Sequence, residues 1–190
     1  MKRYLPVLAL ALALPVLQGC AGIAITSAGA AVAMTDDRRT AGYYVEDENI
    51  EWKVVGLAND RFKGSHLNGT SYNLKVLLTG EVPSEDQKKA IEDAVKALAN
   101  VREVANELVV AGHSSITSRG NDSIITSSVK ARMVGNGKFS PNHVKVVTEA
   151  GSVFLMGLVT QAEGDAAVEI ARSTSGVTRV VKVFEYIQPK

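Results

Sequence analysis

The apolar positions in residues 121–190 follow helical spacing first and strand spacing afterwards. Ile125, Val129 and Met133 recur every fourth residue, which predicts the buried face of a helix over residues 123–134. After this helix the spacing changes to short apolar runs separated by turn residues. The predicted elements that follow are strands at 143–147 and 153–159, a helix from Thr160, and a strand at 180–187.

Capping and turn residues mark the ends of these elements. Asp122 is predicted to be the N-cap of the first helix. The two strands are joined by Glu149-Ala150-Gly151-Ser152, which predicts a hairpin. Thr160 and Glu163 have the spacing of a capping box and start the second helix. The resulting order is α-β-β-α-β, with two helices packed on a three-stranded mixed sheet.

The same pattern is written twice along the chain. A shift of 77 residues places "HLNGTSYNLKVLLTGEVPSEDQKKAIEDA" on "HVKVVTEAGSVFLMGLVTQAEGDAAVEIA", with His66 on His143 and Gly80 on Gly157. The chain therefore contains two α+β modules of about 65 residues each, near the lower size limit for an independent core. We predict modules at 49–111 and 121–190, joined by the polar, turn-rich linker 112–120.

The N-terminus has the pattern of an export signal. Lys2 and Arg3 precede a run of about a dozen apolar residues, which is too short to cross a bilayer. The run ends in Leu-Gln-Gly-Cys, and Cys20 is the one cysteine of the chain. This motif resembles the lipobox of bacterial lipoproteins. The resemblance implies a signal peptide at 1–19, acylation of Cys20, export to the outer membrane and a lipidated flexible spacer at 20–48. The alternative is an ordinary secretory signal that leaves an unused thiol.

Composition and motifs argue against several classes of chemistry. The net charge is +1, which gives no indication of nucleic-acid binding. The chain has no HExxH, CxxC or Gly-rich phosphate loop. His66 and His143 occupy equivalent places, which favours a repeated structural role. We therefore predict no enzyme activity, no cofactor apart from the lipid on Cys20, no metal site and no small-molecule substrate.

The helix at 123–134 carries the candidate site. With Ile125, Val129 and Met133 in the core, its outward side presents apolar, small and basic side chains together. Apolar tips can enter a bilayer interface while basic groups reach lipid phosphates. The alternative is that Ile124 packs on the other module and the basic residues are only solvated. The residues alone do not decide between the two.

A family resemblance favours the membrane interpretation. The run "VFLMGLV", a helix and then "GVTRVVKVFEYI" resemble the BON domain. Two such domains behind a lipobox resemble the dual-BON outer-membrane lipoproteins of the DolP type. The resemblance implies a non-enzymatic, periplasm-facing lipoprotein that supports envelope integrity. It also implies that the first helix of the second BON domain binds anionic phospholipid and concentrates the protein at division sites.

Carried over by position, the implied phospholipid-binding residues are Ile124, Ser127, Ser128, Lys130, Ala131, Arg132 and Val134. One member of the DolP-type family carries a tryptophan where this chain has Ile124. The single tryptophan of this chain, Trp52, lies in the first helix of the first module, where we predict a packing role. The rival hypothesis is a periplasmic adaptor that docks an envelope assembly machine or protease and uses lipid only as an anchor.

Overall fold

The structure is a computed structural model that describes residues 36–112 and 116–189. The predicted signal peptide, Cys20 and the first part of the predicted spacer lie outside the described residues.

The first module places two helices on one face of a sheet. Its elements are α1 (Ala41–Asp60), β1 (His66–Tyr72), β2 (Lys75–Val82), α2 (Glu85–Lys96), β3 (Glu103–Asn106) and β4 (Val109–Val110). Strand β2 is central: β1 pairs with it antiparallel, and β3 and the short β4 pair with it parallel.

The second module repeats this arrangement. Its elements are α3 (Ile116–Val134), a 3-10 turn (Pro141–His143), β5 (Val144–Glu149), β6 (Ser152–Val159), α4 (Gln161–Arg172) and β7 (Arg179–Tyr186). Strand β6 is central, with β5 antiparallel and β7 parallel to it. The predicted α+β class and the α-β-β-α-β order are therefore confirmed, and the short β4 adds a fourth strand to the sheet of the first module.

Each module has its own apolar core between its helices and its sheet. Ile125, Val129 and Met133 are buried against β6 and α4, as their spacing predicts. In the first module, Ile50 and Val54 of α1 have the same role. The matched glycines of the repeat, Gly80 and Gly157, leave no room for a side chain. A Cβ at Gly157 would lie 2.2 Å from the His143 carbonyl oxygen, and a Cβ at Gly80 would lie 1.9 Å from the His66 carbonyl oxygen.

Two predicted boundaries are wrong. Helix α1 begins at Ala41, so the last part of the predicted spacer 20–48 is helical. The Thr40 hydroxyl accepts a hydrogen bond from the Tyr43 amide, which satisfies one free donor of the first turn. Helix α3 begins at Ile116, so the second half of the predicted linker 112–120 is its first turn.

Asp122 is therefore inside α3 and is not its N-cap. Its carboxylate is buried and accepts hydrogen bonds from the Ala150 and Gly151 amides of the β5–β6 turn, at 2.9 and 2.8 Å. Asp47 of α1 does the same for the β1–β2 turn, accepting from the Asn73 and Leu74 amides at 2.8 Å each. Each module thus fixes its hairpin to its first helix through one aspartate.

The two turns need this support because their backbones are left-handed. Asn73 and Leu74 have φ of 54° and 65°, and Ala150 and Gly151 have 48° and 75°. Positive φ at both central residues is the type I′ geometry that suits a two-residue hairpin. Leu74 and Ala150 adopt this conformation at a steric cost that glycine avoids.

The two modules pack sheet against sheet through the faces that their own helices leave uncovered. Tyr72 and Leu77 of the first sheet are buried in one cluster with Phe154, Met156, Leu158 and Val183 of the second. Ion pairs surround this contact: Lys145–Glu51 at 2.6 Å and Arg179–Glu107 at 3.1 Å. Both faces of β6 are consequently buried, which explains the uninterrupted apolar run "VFLMGLV".

Candidate functional site

The outward face of α3 consists of Ile124, Ser127, Ser128, Ala131 and Val134. Ile124 and Val134 are 67% and 72% exposed, whereas the adjacent Ile125 and Met133 are 2% and 1% exposed. Two large apolar side chains therefore stand in solvent near the two ends of one helix face. Between them the surface is shallow, because the intervening residues are small.

The serines of this face are engaged with their own helix. The Ser127 hydroxyl donates to the Ser123 carbonyl and the Ser128 hydroxyl to the Ile124 carbonyl, each at 2.9 Å. Each hydroxyl oxygen keeps acceptor capacity, but its proton is directed inward. Ser127 and Ser128 therefore contribute small side chains to this face, and their hydroxyl protons are already used within the helix.

Arg132 makes structural contacts within the second module. Its guanidinium donates to the Ile170 carbonyl at 3.0 Å, to the Thr174 hydroxyl at 2.7 Å and to the Ser173 hydroxyl at 3.0 Å. These groups lie at the C-terminal end of α4, where unsatisfied carbonyls attract a cation. Arg132 therefore joins α3 to α4 through three of its N–H groups, while the residue stays exposed at the surface.

Lys130 is the remaining predicted cation of this helix, and its side chain is exposed. It lies on the flank of the outward face opposite to Arg132, because the two positions differ by two residues of a helix with 3.6 residues per turn. The structure thus brings Ile124, Val134, the small residues and Lys130 to one accessible side. The described helices include none that combines the length and the hydropathy needed to span a bilayer.

Comparison with known families matches the two modules separately. The model of the BON domain matches residues 47–112 and again residues 121–188. The chain belongs to the BON-domain family. Each module described above is one BON domain, and the resemblance seen in the sequence is confirmed.

Three relatives match most of the chain. Outer membrane lipoprotein DolP of Haemophilus influenzae is 39% identical over 175 residues, which cover 90% of each chain. The 21 kDa hemolysin of Actinobacillus pleuropneumoniae is 35% identical and covers 80% of each. Osmotically-inducible protein Y of Escherichia coli is 31% identical, over 73% of this chain and 72% of its own. The chain is therefore similar to DolP-type proteins across both BON domains.

The first BON domain has an exposed apolar face that the sequence reading missed. Trp52 is 74% exposed, so the predicted packing role is wrong. Val45 and Val55 are 54% and 44% exposed on the same side of α1, with Glu48 among them. Their spacing of seven and three residues places them opposite the buried Ile50 and Val54. In the sequence, that spacing is the observation that could have predicted the exposed apolar face.

A second feature, the His66 cluster, lies between the two BON domains and consists of His66, Glu81 and Glu149. The His66 Nδ1 atom is 2.9 Å from Glu81 Oε2 and 3.9 Å from Glu149 Oε1. Burial is the main cause that raises the pKa of the Glu149 carboxyl above its ordinary value, and a hydrogen bond from Asn68 opposes this. Sequence reasoning missed the cluster because Glu149 belongs to the other domain.

The equivalent histidine of the second BON domain has a different environment. His143 Nδ1 lies 4.0 Å from Glu163 Oε1, but Glu163 is also paired with Arg38 through two hydrogen bonds of 2.7 and 2.8 Å. The Arg38 hydrogen bond is the main cause that lowers the pKa of the Glu163 carboxyl from 4.5 to about 2. The negative charge of the Glu163 carboxylate near His143 is therefore balanced by the positive charge of Arg38.

Proposed function

We propose that this chain is a non-enzymatic outer-membrane lipoprotein of the periplasmic side, anchored by acyl chains on Cys20. In this proposal the second BON domain contacts anionic phospholipid through the outward face of α3. The protein supports envelope integrity and concentrates at division-site or strongly curved membrane where anionic lipid is enriched. The similarity to outer membrane lipoprotein DolP supports the location, since that relative matches 90% of the chain.

The observation that carries the lipid contact is the exposure of Ile124 and Val134 beside Lys130. An isolated apolar residue on a surface needs no explanation, but two on one face of a helix with a flanking cation suit a bilayer interface. The apolar tips would enter the interface, and each basic group near an anionic surface contributes about 1 kcal/mol. Arg132 adds its charge to the local potential while it remains bound to α4.

Attachment at two points makes a weak helix contact sufficient. Two or more acyl chains hold a protein on a membrane almost permanently, since each buried CH₂ contributes about 0.8 kcal/mol. The anchored domain is then kept at a high effective concentration near the lipid surface. Differences in local lipid composition can therefore shift the distribution of a protein that never leaves the membrane.

The test is co-sedimentation of residues 21–190, which contain every described element, with vesicles. Phosphatidylglycerol-rich and purely zwitterionic vesicles are compared over a salt series. We expect binding to the anionic vesicles that weakens as salt rises, because exposed charges are screened. Ile124→Asp should abolish this binding. Lys130→Glu, which changes the charge by two, should weaken it by roughly 30-fold on the contribution of about 1 kcal/mol per charge.

Lys138→Glu is the matched control for charge. Lys138 is exposed in the same BON domain but lies beyond the end of α3, so its reversal should cause a clearly smaller loss. Arg132→Glu is avoided because it would also remove the contacts with α4. If wild type does not bind, or if Ile124→Asp and Lys130→Glu bind like wild type, the lipid contact is limited to the Cys20 anchor.

A second candidate function is supported by the exposed face of α1. Val45, Trp52 and Val55 form an apolar surface that includes the exposed carboxylate of Glu48, which an anionic membrane would repel. This composition fits an adaptor role in which the first BON domain docks a protein of an envelope assembly machine or a protease. In that case Trp52→Ser should keep vesicle binding but fail to restore envelope integrity in a strain that lacks this protein.

Trp52 itself discriminates the two surfaces, because it is the one tryptophan of the chain. If α1 faces protein and not lipid, its emission should stay unchanged when vesicles bind. A shift to shorter wavelength on vesicle addition would instead place this face in the bilayer interface and contradict the adaptor role.

A further inference from the structure

The His66 cluster joins residues from two sheets at one point. His66 and Glu81 are directly opposite each other in the β1–β2 pair, on the sheet face turned towards the second BON domain. Glu149 ends β5 of that second domain. The candidate ligand atoms of the three side chains all lie within 4.8 Å of one another. Among the described residues, no other three side chains of suitable type meet this condition.

We propose that His66, Glu81 and Glu149 bind a divalent transition-metal ion, Zn²⁺ being the representative case, and that this ion joins the two BON domains. The proposal does not depend on phospholipid binding, since no residue of the outward face of α3 takes part in it. It differs from the sequence-based expectation of no metal site.

The donor set suits zinc better than calcium or magnesium. One imidazole nitrogen with two carboxylate oxygens provides three protein ligands, and water completes a tetrahedral site. Calcium and magnesium prefer sets made of oxygen alone. With metal–ligand distances of about 2.0–2.2 Å, tetrahedral ligand atoms are roughly 3.4 Å apart. The two His66–carboxylate distances of 2.9 and 3.9 Å lie on either side of this value.

Burial and charge favour a cation at this place. The side chains of His66, Glu81 and Glu149 are 18%, 10% and 13% exposed, so two carboxylates approach one imidazole in a largely desolvated setting. One imidazolium cannot balance two carboxylates. Two other charged residues of opposite sign, Arg119 and Asp122, line the adjoining pocket. A divalent cation would balance the carboxylates of the cluster.

Access and supporting contacts are also present. A pocket of about 360 Å³ borders His66 and Glu149 and gives an ion a path from solvent and room for a water ligand. The Asn68 amide lies 3.3 Å from His66 Nε2 and 3.0 Å from Glu149 Oε2. The hydrogen bond from Asn68 Nδ2 to Glu149 Oε2 orients this carboxylate beside His66.

The repeat provides an internal control. The shift that matches His66 with His143 also matches Glu81 with Leu158, so the second BON domain lacks the opposing carboxylate. The Glu163 carboxylate, 4.0 Å from His143 Nδ1, is paired with Arg38. His143 therefore has the same position in the fold without the ligand set, and it should not bind the ion.

The test is calorimetric titration of Zn²⁺ into residues 21–190 after treatment with a chelator. We expect one ion per chain. His66→Ala and Glu149→Gln should each weaken binding at least tenfold, whereas His143→Ala and His113→Ala should leave it unchanged. No uptake by wild type, unchanged binding in His66→Ala or Glu149→Gln, or loss of binding in either control would overturn the proposal.

Thermal unfolding gives a second readout and a check on folding. Circular dichroism without metal should show the same secondary structure in wild type and in the variants. Saturating Zn²⁺ should raise the Tm of wild type and of His143→Ala, because an ion that binds only the folded state stabilises it. It should leave the Tm of Glu149→Gln unchanged. An equal rise in Glu149→Gln would show that the second BON domain supplies no ligand.

Discussion

At the residue scale, two aspartates carry the same structural task in the two BON domains. Asp47 and Asp122 each project from the first helix of a domain and accept hydrogen bonds from both amides of a left-handed turn. A single carboxylate thus fixes the hairpin turn and the position of the helix on the sheet at once.

Replacement of Asp122 should therefore be costly. Asp122→Ala leaves two turn amides without acceptors, and we expect a loss of about 2–4 kcal/mol in the free energy of unfolding, measured with urea. Asp165→Ala is the control, because the exposed Asp165 only accepts from Gln161 on the surface of α4 and should change stability by less than about 0.5 kcal/mol. Equal losses in the two variants would contradict the role of Asp122.

The sequence could not assign such roles by residue type alone. An aspartate before an apolar helical run is equally typical of an N-cap and of a helix that continues further upstream. A shift of 75 residues, which places Asp47 on Asp122 and Ile50 on Ile125, contains the missing signal. Arg132 is similar: a cation on a helix flank can reach a phosphate group or a neighbouring helix end, and only the packing of α3 on α4 decides.

At the element scale, the sequence pattern predicts the helices and strands well but not where α1 and α3 begin. The buried faces of α3 and α4 and the β5–β6 hairpin agree with the spacing of their apolar residues. The first turn of α3 has the polar, turn-rich sequence of a linker, since "ITSRG" lacks a helical repeat and contains a glycine. Residues 116–120 are helical because they continue α3, so their own sequence shows no helical spacing of apolar residues.

The starts of α2 and α4 show how much a cap depends on its surroundings. At α4, the Thr160 hydroxyl accepts from the Glu163 amide and the Glu163 carboxylate accepts from the Thr160 amide, so the predicted capping box is complete. At α2, Ser84 accepts from the Gln87 amide, but the Gln87 side chain donates to Ser65 instead of closing the box. Glu163 differs further in its pairing with Arg38.

The Arg38–Glu163 pair predicts a specific dependence of stability on pH. The folded-state pKa of Glu163 is lowered from 4.5 to about 2, so the stabilisation is complete above pH 4.5 and is lost as the pH falls towards 2. We expect wild type to exceed Glu163→Gln in free energy of unfolding at pH 7, and this difference to shrink between pH 4.5 and 2.

The control for this prediction is Glu169→Gln. Glu169 pairs with Arg172 on the surface, where its side chain is 62% exposed, so its removal should change stability little at any pH. A difference between wild type and Glu163→Gln that stays constant from pH 7 to pH 2.5 would contradict the assigned role of the Arg38 pair.

At the scale of the whole molecule, each sheet covers the apolar face that the helices of the other domain leave exposed. Alternate residues of β6 face opposite sides: Val153, Leu155 and Val159 enter the core of the second domain, while Phe154, Met156 and Leu158 meet the first domain. A strand that is apolar at every position predicts cover on both faces. The apolar run of β6 therefore indicates that a second surface covers this strand. The residue pairs across the contact, such as Lys145 with Glu51, depend on the tertiary arrangement.

This arrangement predicts that the two domains unfold together. Leu77 is fully buried in the contact, so Leu77→Ala should cost about 2–5 kcal/mol. In hydrogen exchange, the slowest amides of β6 should lose as much protection as those of β2, although the substitution lies in the first domain. Val109→Ala, at a 56% exposed position of the same domain, should leave both strands unchanged. A loss confined to β2 would show that the domains unfold independently.

The contact between the two sheets also affects the order in which the two domains can fold. The proposed export signal brings the chain across the membrane from its N-terminus, so α1 to β4 can form before the strands that cover Tyr72 and Leu77 arrive. The first domain must keep an apolar sheet face in water until β7, the last strand, has emerged. During export this face is a natural binding target for a chaperone, and slower translocation of the second half would lengthen the period in which the incomplete chain can aggregate.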